Sequence, residues 1–386
     1  MNKSKNKTKP SKIIVSVFLI IFIFIILFLI AGTMNGVSFA SAAKGISDFF
    51  ETMSSGDGYP YEDNVSDIDA VKTVDGKLII LTNDRTYMLD NTAKKTSEQQ
   101  HIYSLPALRT NENKYLVFDR GSGKIRLHNK SKIIWEEDLK QNILSADISS
   151  SGRIVAATKG KSSKCTMEVL SKSKDVLFKW ECSSGYIVDV AISDNGKKCA
   201  AIVLSQKDAE ILSTVYIFSL SSAEPTGKIE FSKSALFNVS FTRGNKIEVL
   251  GDNVRSIISS NNKREDDELF NSNTLANYYV SSNGNSVLQF LKYSGINSNI
   301  IVFYNEYGKE ICRTEISSSV KKVACGESYF AVQCADKVYC YNRRGKKIGE
   351  IEVQGDIKEM TIIGSKCYVF SSGIINRYSV RNNIDK

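Results

Sequence analysis

Two hydrophobic patterns follow one another along the chain. From Ile13 to Gly32 twenty residues carry no charge and one hydroxyl side chain, Ser16. A helix rises about 1.5 Å per residue, so such a run spans about 30 Å, the thickness of a bilayer hydrocarbon core. A buried core helix would keep a polar face, and this segment has none. After about residue 63 the pattern changes to short runs in which apolar and polar residues alternate, bounded by Gly, Asn, Ser and Asp. That is the period and punctuation of β-strands.

The apolar run predicts a single transmembrane helix. Lys3, Lys5, Lys7, Lys9 and Lys12 precede it, whereas the fifteen residues after it hold only Lys44. The positive-inside rule then places the N-terminus in the cytoplasm and everything beyond Gly32 outside. A cleaved signal peptide is the competing reading. It would carry a shorter apolar region of about 7 to 15 residues followed closely by a small-x-small site. Here the only good site, Ala40-Ser41-Ala42, lies well beyond the run, so retention as an anchor is the reading adopted. The expected organisation is a basic cytoplasmic tail (1–12), a transmembrane helix (13–32), a juxtamembrane stalk (33–62) with a short helix near Ile46–Phe50, and an extracytoplasmic domain (63–386).

Within that domain one arrangement recurs: an alternating strand, a tight turn with Gly or Asn, then a strand rich in Ala, Val, Ile and aromatics. The turn residue falls at Gly76, Asn113, Gly152, Gly196, Gly244, Gly284, Gly326 and Gly364, at intervals of 37, 39, 44, 48, 40, 42 and 38. Gly or Asn suits these places because such turns need a positive φ, which a β-carbon disfavours. A second half-repeat follows each turn. Phe303–Ile311 and Cys340–Ile348 align without a gap, each reading strand, turn, strand. Four short strands per unit of about 40 residues predict an all-β fold, a β-propeller, in which each blade buries its faces against its neighbours. The eighth unit, Glu359 to Val380, offers only three strands, and residues around Tyr59 to Asn64 are available to complete it. Eight blades closed by that exchange are favoured, with a seven-bladed ring as the alternative.

This turn-and-strand pattern resembles the WD40-like and quinoprotein-like propellers. The layout is similar to that of uncharacterised single-pass, propeller-bearing membrane proteins of anaerobic Gram-positive bacteria. The likeness covers Asp63 to Val380 in architecture. There is no WD dipeptide or GH pair, and Trp135 and Trp180 read as strand residues. The resemblance implies a binding scaffold and carries over no catalytic residue.

Composition changes this picture little. The formal charge of +9 invites a nucleic-acid reading, but without the five N-terminal lysines the chain holds 46 basic against 42 acidic residues, with no dense basic block. No nucleic-acid partner is expected. His101 and His128 lack metal-ligand spacing, and Gly121-Ser122-Gly123-Lys124 lacks full phosphate-loop spacing and reads as a turn. The run Glu265-Asp266-Asp267-Glu268 has no spacing glycines for calcium and reads as a solvated loop. No catalytic residue, cofactor site or metal site is assigned. Eight cysteines include no CxxC. Cys165 and Cys182 flank a turn at Ser173-Lys174, whose register pairs residues summing to 347, so the two face each other as a candidate disulfide.

The reading is therefore a non-enzymatic scaffold at the cell membrane for a protein, glycan or envelope partner. An enzyme of the quinoprotein or glycan-cleaving type, working with carboxylates at the channel, and an envelope assembly factor are the alternatives. A ring of acidic residues or arginine at the channel would mark the enzyme, and an exposed aromatic patch the binder. Binding is expected on the second-to-third-strand loops, Lys159 to Lys164, Ser205 to Ser213 and Lys292 to Ser298, and on the blade-to-blade connections, Thr96 to Tyr103 and Leu269 to Leu275.

Overall fold

The computed structural model describes residues 56–62, 67–271, 273–292, 297–335, 337–353, 355–371 and 373–381. The tail, the apolar segment and the stalk as far as residue 55 lie outside them. The described residues contain 32 strands, β1 to β32 in chain order, in eight four-stranded antiparallel sheets. The fold is an eight-bladed β-propeller.

The first strand of each blade faces the centre: β2 (Ile68–Val74), β6 (Pro106–Asn111), β10 (Ile143–Ile148), β14 (Tyr186–Ile192), β18 (Leu236–Phe241), β22 (Thr274–Val280), β26 (Val320–Cys325) and β30 (Ile357–Ile363). Seven blades are continuous in sequence. The eighth is completed by β1 (Tyr61–Glu62), which lies against β32 (Ile374–Ser379) in the register Tyr61↔Ile375 and Glu62↔Ile374. The residues leading into β1 clasp the same seam. Gly58 N–H donates to the Thr92 carbonyl at 3.0 Å, and Tyr59 Oη donates to the Asp90 carbonyl at 3.0 Å. The Tyr59 ring packs edge-on against Tyr368 with centroids 5.3 Å apart.

All eight anticipated turns join the first strand of a blade to the second. Positive φ sits on Gly76, Gly152, Gly196, Gly284 and Gly364 as expected, but in two turns it falls one residue away, on Glu112 beside Asn113 and on Asn245 beside Gly244, and at Gly326 the turn is made without it. The half-repeats are matched in detail. In one, Tyr307 and Lys309 amides donate to Asn305 Oδ1; in the other, Arg344 and Lys346 amides donate to Asn342 Oδ1. Gly308 and Gly345 follow with φ of 75° and 73°.

The core is a set of inter-blade clusters. One unites Val155, Met167 and Val169 of blade 3 with Val190, Cys199 and Phe218 of blade 4. A fully buried aliphatic or aromatic side chain contributes about 1.5–3 kcal/mol, so each blade depends on its neighbours.

Three expectations need correction. The acidic run at 265–268 lies in strand β21 (Arg264–Leu269), the outermost of blade 5, where a solvated edge tolerates charge. Ser205 to Ser213 is largely paired: β15 (Lys198–Lys207) and β16 (Glu210–Ser219) form a ten-residue-per-strand hairpin closed by Asp208 and Ala209, both at positive φ. Residues 96–100 belong to β5 (Lys95–Gln100), which leaves 101–105 as the first blade connection.

Candidate functional site

Seven of the eight inner strands carry a bulge at one equivalent place, the residues skipped being Asp69, Leu144, Val188, Phe237, Ala276, Lys321 and Lys358; β6 runs without one. Bulges bend a strand and re-aim its side chains. The register then defines two tiers around the channel. The upper holds Ala70, Ala107, Ser145, Asp189, Asn238, Asn277, Lys322 and Glu359. The lower holds Lys72, Arg109, Asp147, Ala191, Ser240, Tyr279, Ala324 and Thr361.

Eleven of these sixteen residues, all but Asn277, Lys322, Ala191, Ala324 and Thr361, line a channel of about 910 Å³. Four of its charged groups, Lys72, Arg109, Asp147 and Asp189, are bonded across blades. Asp189 of blade 4, 3% exposed, accepts from Arg109 Nη2 of blade 2 at 3.2 Å, Ser145 Oγ of blade 3 at 2.6 Å, and the Val239 amide of blade 5 at 3.0 Å. One carboxylate thus ties four consecutive blades. Burial opposes the charge of Arg109, yet Asp189 and Asp147 outweigh it and hold the guanidinium above its ordinary range. Burial pushes the Asp147 carboxyl up to about 6, against the Ile192 amide that donates to it at 3.0 Å. Lys72 Nζ donates to the Val280 carbonyl across the ring at 2.8 Å. Burial and the like charge of Arg109 bring its ammonium down to about 8.

Consecutive inner strands pack closely around the ring except β18 and β22, which approach least. There Phe237 and Tyr278 bridge the seam with centroids 5.5 Å apart. Farther out, Arg255 lies 3.8 Å from the centroid of the Tyr304 ring, donates to the Gly308 carbonyl at 2.7 Å and pairs with Glu248 at 2.6 Å.

The face that carries the blade connections and second-to-third-strand loops differs from the channel. It exposes Ile102 (85%), Leu105 (55%), Tyr186 (62%), Ile211 (48%) and Leu269 (63%). These exposed groups, spread over the connections from blade 1 to blade 5, are mostly aliphatic, where an aromatic patch was the expected mark of a binder. Lys164 lies 5.6 Å from the centroid of the Tyr186 ring, and the long hairpin carries Ile211 near its tip. The sequence pointed to this face through 159–164 and 269–275; part of 292–298 lies outside the described residues.

Cys165 and Cys182 stand directly opposite in the β12–β13 ladder, in the register the turn implied. A bulge at Leu177 shifts the pairing only nearer the turn. Both are buried free thiols, and Cys165 Sγ accepts from the Ile187 amide at 3.3 Å. His128 is enclosed in β8 (Lys124–Asn129), stacked on Tyr115 with centroids 4.2 Å apart. His101 lies in the first blade connection. Among the described residues no three His, Cys, Asp or Glu groups gather as a metal site.

Among solved structures, the chain is similar to the C-terminal WD40 domain of Sif2, with TM-score 0.58 and 13% identity over 82% of this chain and 96% of that one. It is also similar to Sqt1 of Chaetomium thermophilum, solved bound to the N-terminus of ribosomal protein L10, with TM-score 0.56 and 11% identity over 84% and 100%. BamB of Moraxella catarrhalis gives TM-score 0.50 and 11% identity over 83% and 100%. At such identities the likeness is one of fold. No curated protein matches the chain. The profile of DUF5711, described as a family of unknown function, matches residues 50–378, most of the chain, and the chain belongs to that family.

Proposed function

We propose that the chain is a membrane-anchored, extracytoplasmic, non-enzymatic scaffold that receives a protein partner on its connector face, as in the single-pass propeller proteins of anaerobic Gram-positive bacteria that its layout resembles. The observation that carries this reading is the contrast between the two surfaces. The channel carboxylate Asp189 is consumed by cross-blade bonds, whereas Ile102, Leu105, Tyr186, Ile211 and Leu269 are left in water on one face. Exposed apolar groups on a rigid scaffold favour recognition. The likeness to Sqt1, solved with a peptide segment of another protein, supports a protein partner over a glycan. The anchor rests on the uncharged run Ile13–Gly32 and the lysines before it.

The test places a photo-crosslinking amino acid at Tyr186, Ile211 or Leu269, and separately at Val176 or Tyr307 on the opposite rim, in host cells with the wall removed. Protein adducts at the first set alone are expected. Equal adducts on both rims, or none, would refute the assignment. External protease should digest a C-terminal tag without permeabilisation; protection of the tag would refute the orientation.

A further inference from the structure

The charges of the propeller are sorted between its two faces. Successive strands of a blade run in opposite directions, so the first-to-second and third-to-fourth turns share one face, opposite the connector face. The fifteen turns of that face, each taken with the strand residue on either side, hold 21 basic and 9 acidic residues. The connector face, counted in the same way over its described residues, holds 11 basic and 10 acidic. The positive excess therefore belongs to the turn face. It leaves no dense basic block in the sequence because the residues arrive at most four to a turn, blade after blade.

None of the basic residues of the turn face is buried. Lys172, Lys197, Lys263, Lys309, Arg343 and Arg344 are exposed and form no ion pair among the described residues. Several carboxylates of the same face are already engaged. Asp75 pairs with Lys130 at 3.0 Å and Glu306 with Arg243 at 3.9 Å. Asp90 Oδ1 accepts from the Thr92 and Lys94 amides at 2.8 and 3.0 Å, and Asp175 accepts from Ser171 Oγ at 2.9 Å. Acidic residues that offset the excess in the overall composition lie on outer strands, among them Glu265 to Glu268 of β21.

Two exposed apolar groups stand among these charges: Val176 (56%) and Tyr307 (51%), each two residues in sequence from a lysine, Lys174 and Lys309. The described chain also enters the propeller here. Gly56 N–H donates to Thr92 Oγ1 at 2.8 Å, and Thr92 lies in the turn between β4 (Arg85–Leu89) and β5. In the anchored reading above, the segment that follows the apolar run therefore joins the propeller on its basic face.

We propose that the turn face is a membrane-docking surface, its lysines and arginines held against the anionic phospholipid headgroups of the bilayer that carries the anchor, so that the connector face points away from that bilayer. The proposal rests on the anchored-scaffold reading and adds the orientation and the lipid chemistry. Attraction of Lys and Arg to an anionic surface fades within a Debye length, about 8 Å at physiological salt, so it acts on the face that lies closest to the lipid. Tyr307 fits the headgroup region, where an amphipathic ring meets apolar and polar neighbours together. A soluble polyanion would meet the same charges, but it supplies no reason for the chain to enter on this face.

The full-length chain is reconstituted into nanodiscs of phosphatidylcholine alone, or of phosphatidylcholine and phosphatidylglycerol in equal parts, with an acceptor dye on a trace lipid. A fluorescent amino acid is placed at Tyr307 on the turn face or at Ile211 on the connector face. Energy transfer from Tyr307 is expected to exceed that from Ile211 in the anionic discs. It should fall toward the Ile211 value in phosphatidylcholine alone, and in about 0.5 M salt, where the Debye length shrinks to roughly 4 Å. Combining Arg343→Gln, Arg344→Gln and Lys346→Gln removes three charges, each responsible for about a fivefold effect, and should lower the ratio of docked to undocked propeller at least about tenfold. All three side chains are exposed, so the melting temperature of the variant should not change.

Equal transfer from the two positions, greater transfer from Ile211, or transfer indifferent to lipid charge and salt would overturn the docked face, as would an undiminished ratio in the triple variant. Release of the face from anionic discs by polyphosphate, at a phosphate concentration below that of the anionic lipid, would assign the charges to a soluble polymer and overturn the membrane docking. A chain that enters the discs but shows no preferred face refutes this proposal alone. A chain that does not enter them refutes the anchor as well, so the two failures are distinguishable.

Discussion

Replacing Asp189 by Ala tests whether the channel charges are structural. The change strips an acceptor from the Val239 amide and the Ser145 hydroxyl, both on residues less than 5% exposed. Each orphaned buried group costs about 1–3 kcal/mol. The Arg109 side chain also loses its partner, but it is 38% exposed to the channel, so solvent offsets much of that loss and about 1 kcal/mol is a fair share. The expected sum is about 5 kcal/mol. Asp189→Asn keeps one oxygen and should cost about half as much. Urea unfolding followed by the fluorescence of Trp135 and Trp180, which sit in blades 2 and 3, reads the shift. A double-mutant cycle with Arg109→Met should return a coupling of about 1 kcal/mol or more. An Asp189→Ala variant within about 0.5 kcal/mol of the parent chain would refute the four-blade tie and reopen the channel as a site for chemistry.

Asp147 should make stability fall as pH rises. Its folded pKa, about 6, lies above the ordinary carboxyl value of 3.8, so between these values the native state binds more protons than the unfolded state and loses stability with rising pH. Asp147→Asn should flatten that slope and raise the melting temperature at pH 7; an unchanged profile would refute the assignment. Lys72 works in the opposite window: its folded value near 8 lies below 10.5, so stability should rise with pH between those values, and Lys72→Met should abolish the rise in a pH-melt series. Tyr59→Ala removes the ring on Tyr368 and the bond to Asp90. It should cost about 2 kcal/mol, less than a fully buried aromatic, and sensitise blade 8 to limited proteolysis; an unchanged digestion pattern counts against the clasp. Mild oxidation should bridge Cys165 and Cys182, detected by alkylation and peptide mapping; persistence of both thiols would exclude the pair.

The ring was legible because each blade repeats a local demand. A turn needing positive φ every 40 residues or so leaves Gly or Asn as its mark, and the Asn305 and Asn342 caps repeat as a copied phrase. The Cys165–Cys182 register followed from hairpin arithmetic, which involves neighbours only. What could not be read depends on residues far apart in sequence. Nothing around Asp189 announces that Arg109, Ser145 and Val239 converge on it, since each comes from a different blade. The inner-strand bulges escaped notice because one skipped residue leaves the alternation nearly intact. The β15–β16 hairpin looked like a loop because Ser205, Gln206, Lys207 and Asp208 are polar, although the first three are paired with β16.

The closing strand also sets the order of folding. Tyr61 is made early and its partner Ile375 more than 300 residues later. At about 5–20 residues per second, roughly 15 to 60 s of synthesis separate them. Blades 1 to 7 are continuous and can form as they emerge, so circular closure is the last event and the one with the largest loop to close. Until then the edge that will receive β32 stands open, the condition under which strands recruit the wrong neighbour. A closing strand of only two residues offers little ladder to a stray edge. Tyr61 within it and Tyr59 just before it recognise blade 8 by side-chain packing, so the chain can wait for its own last blade without advertising a template to others.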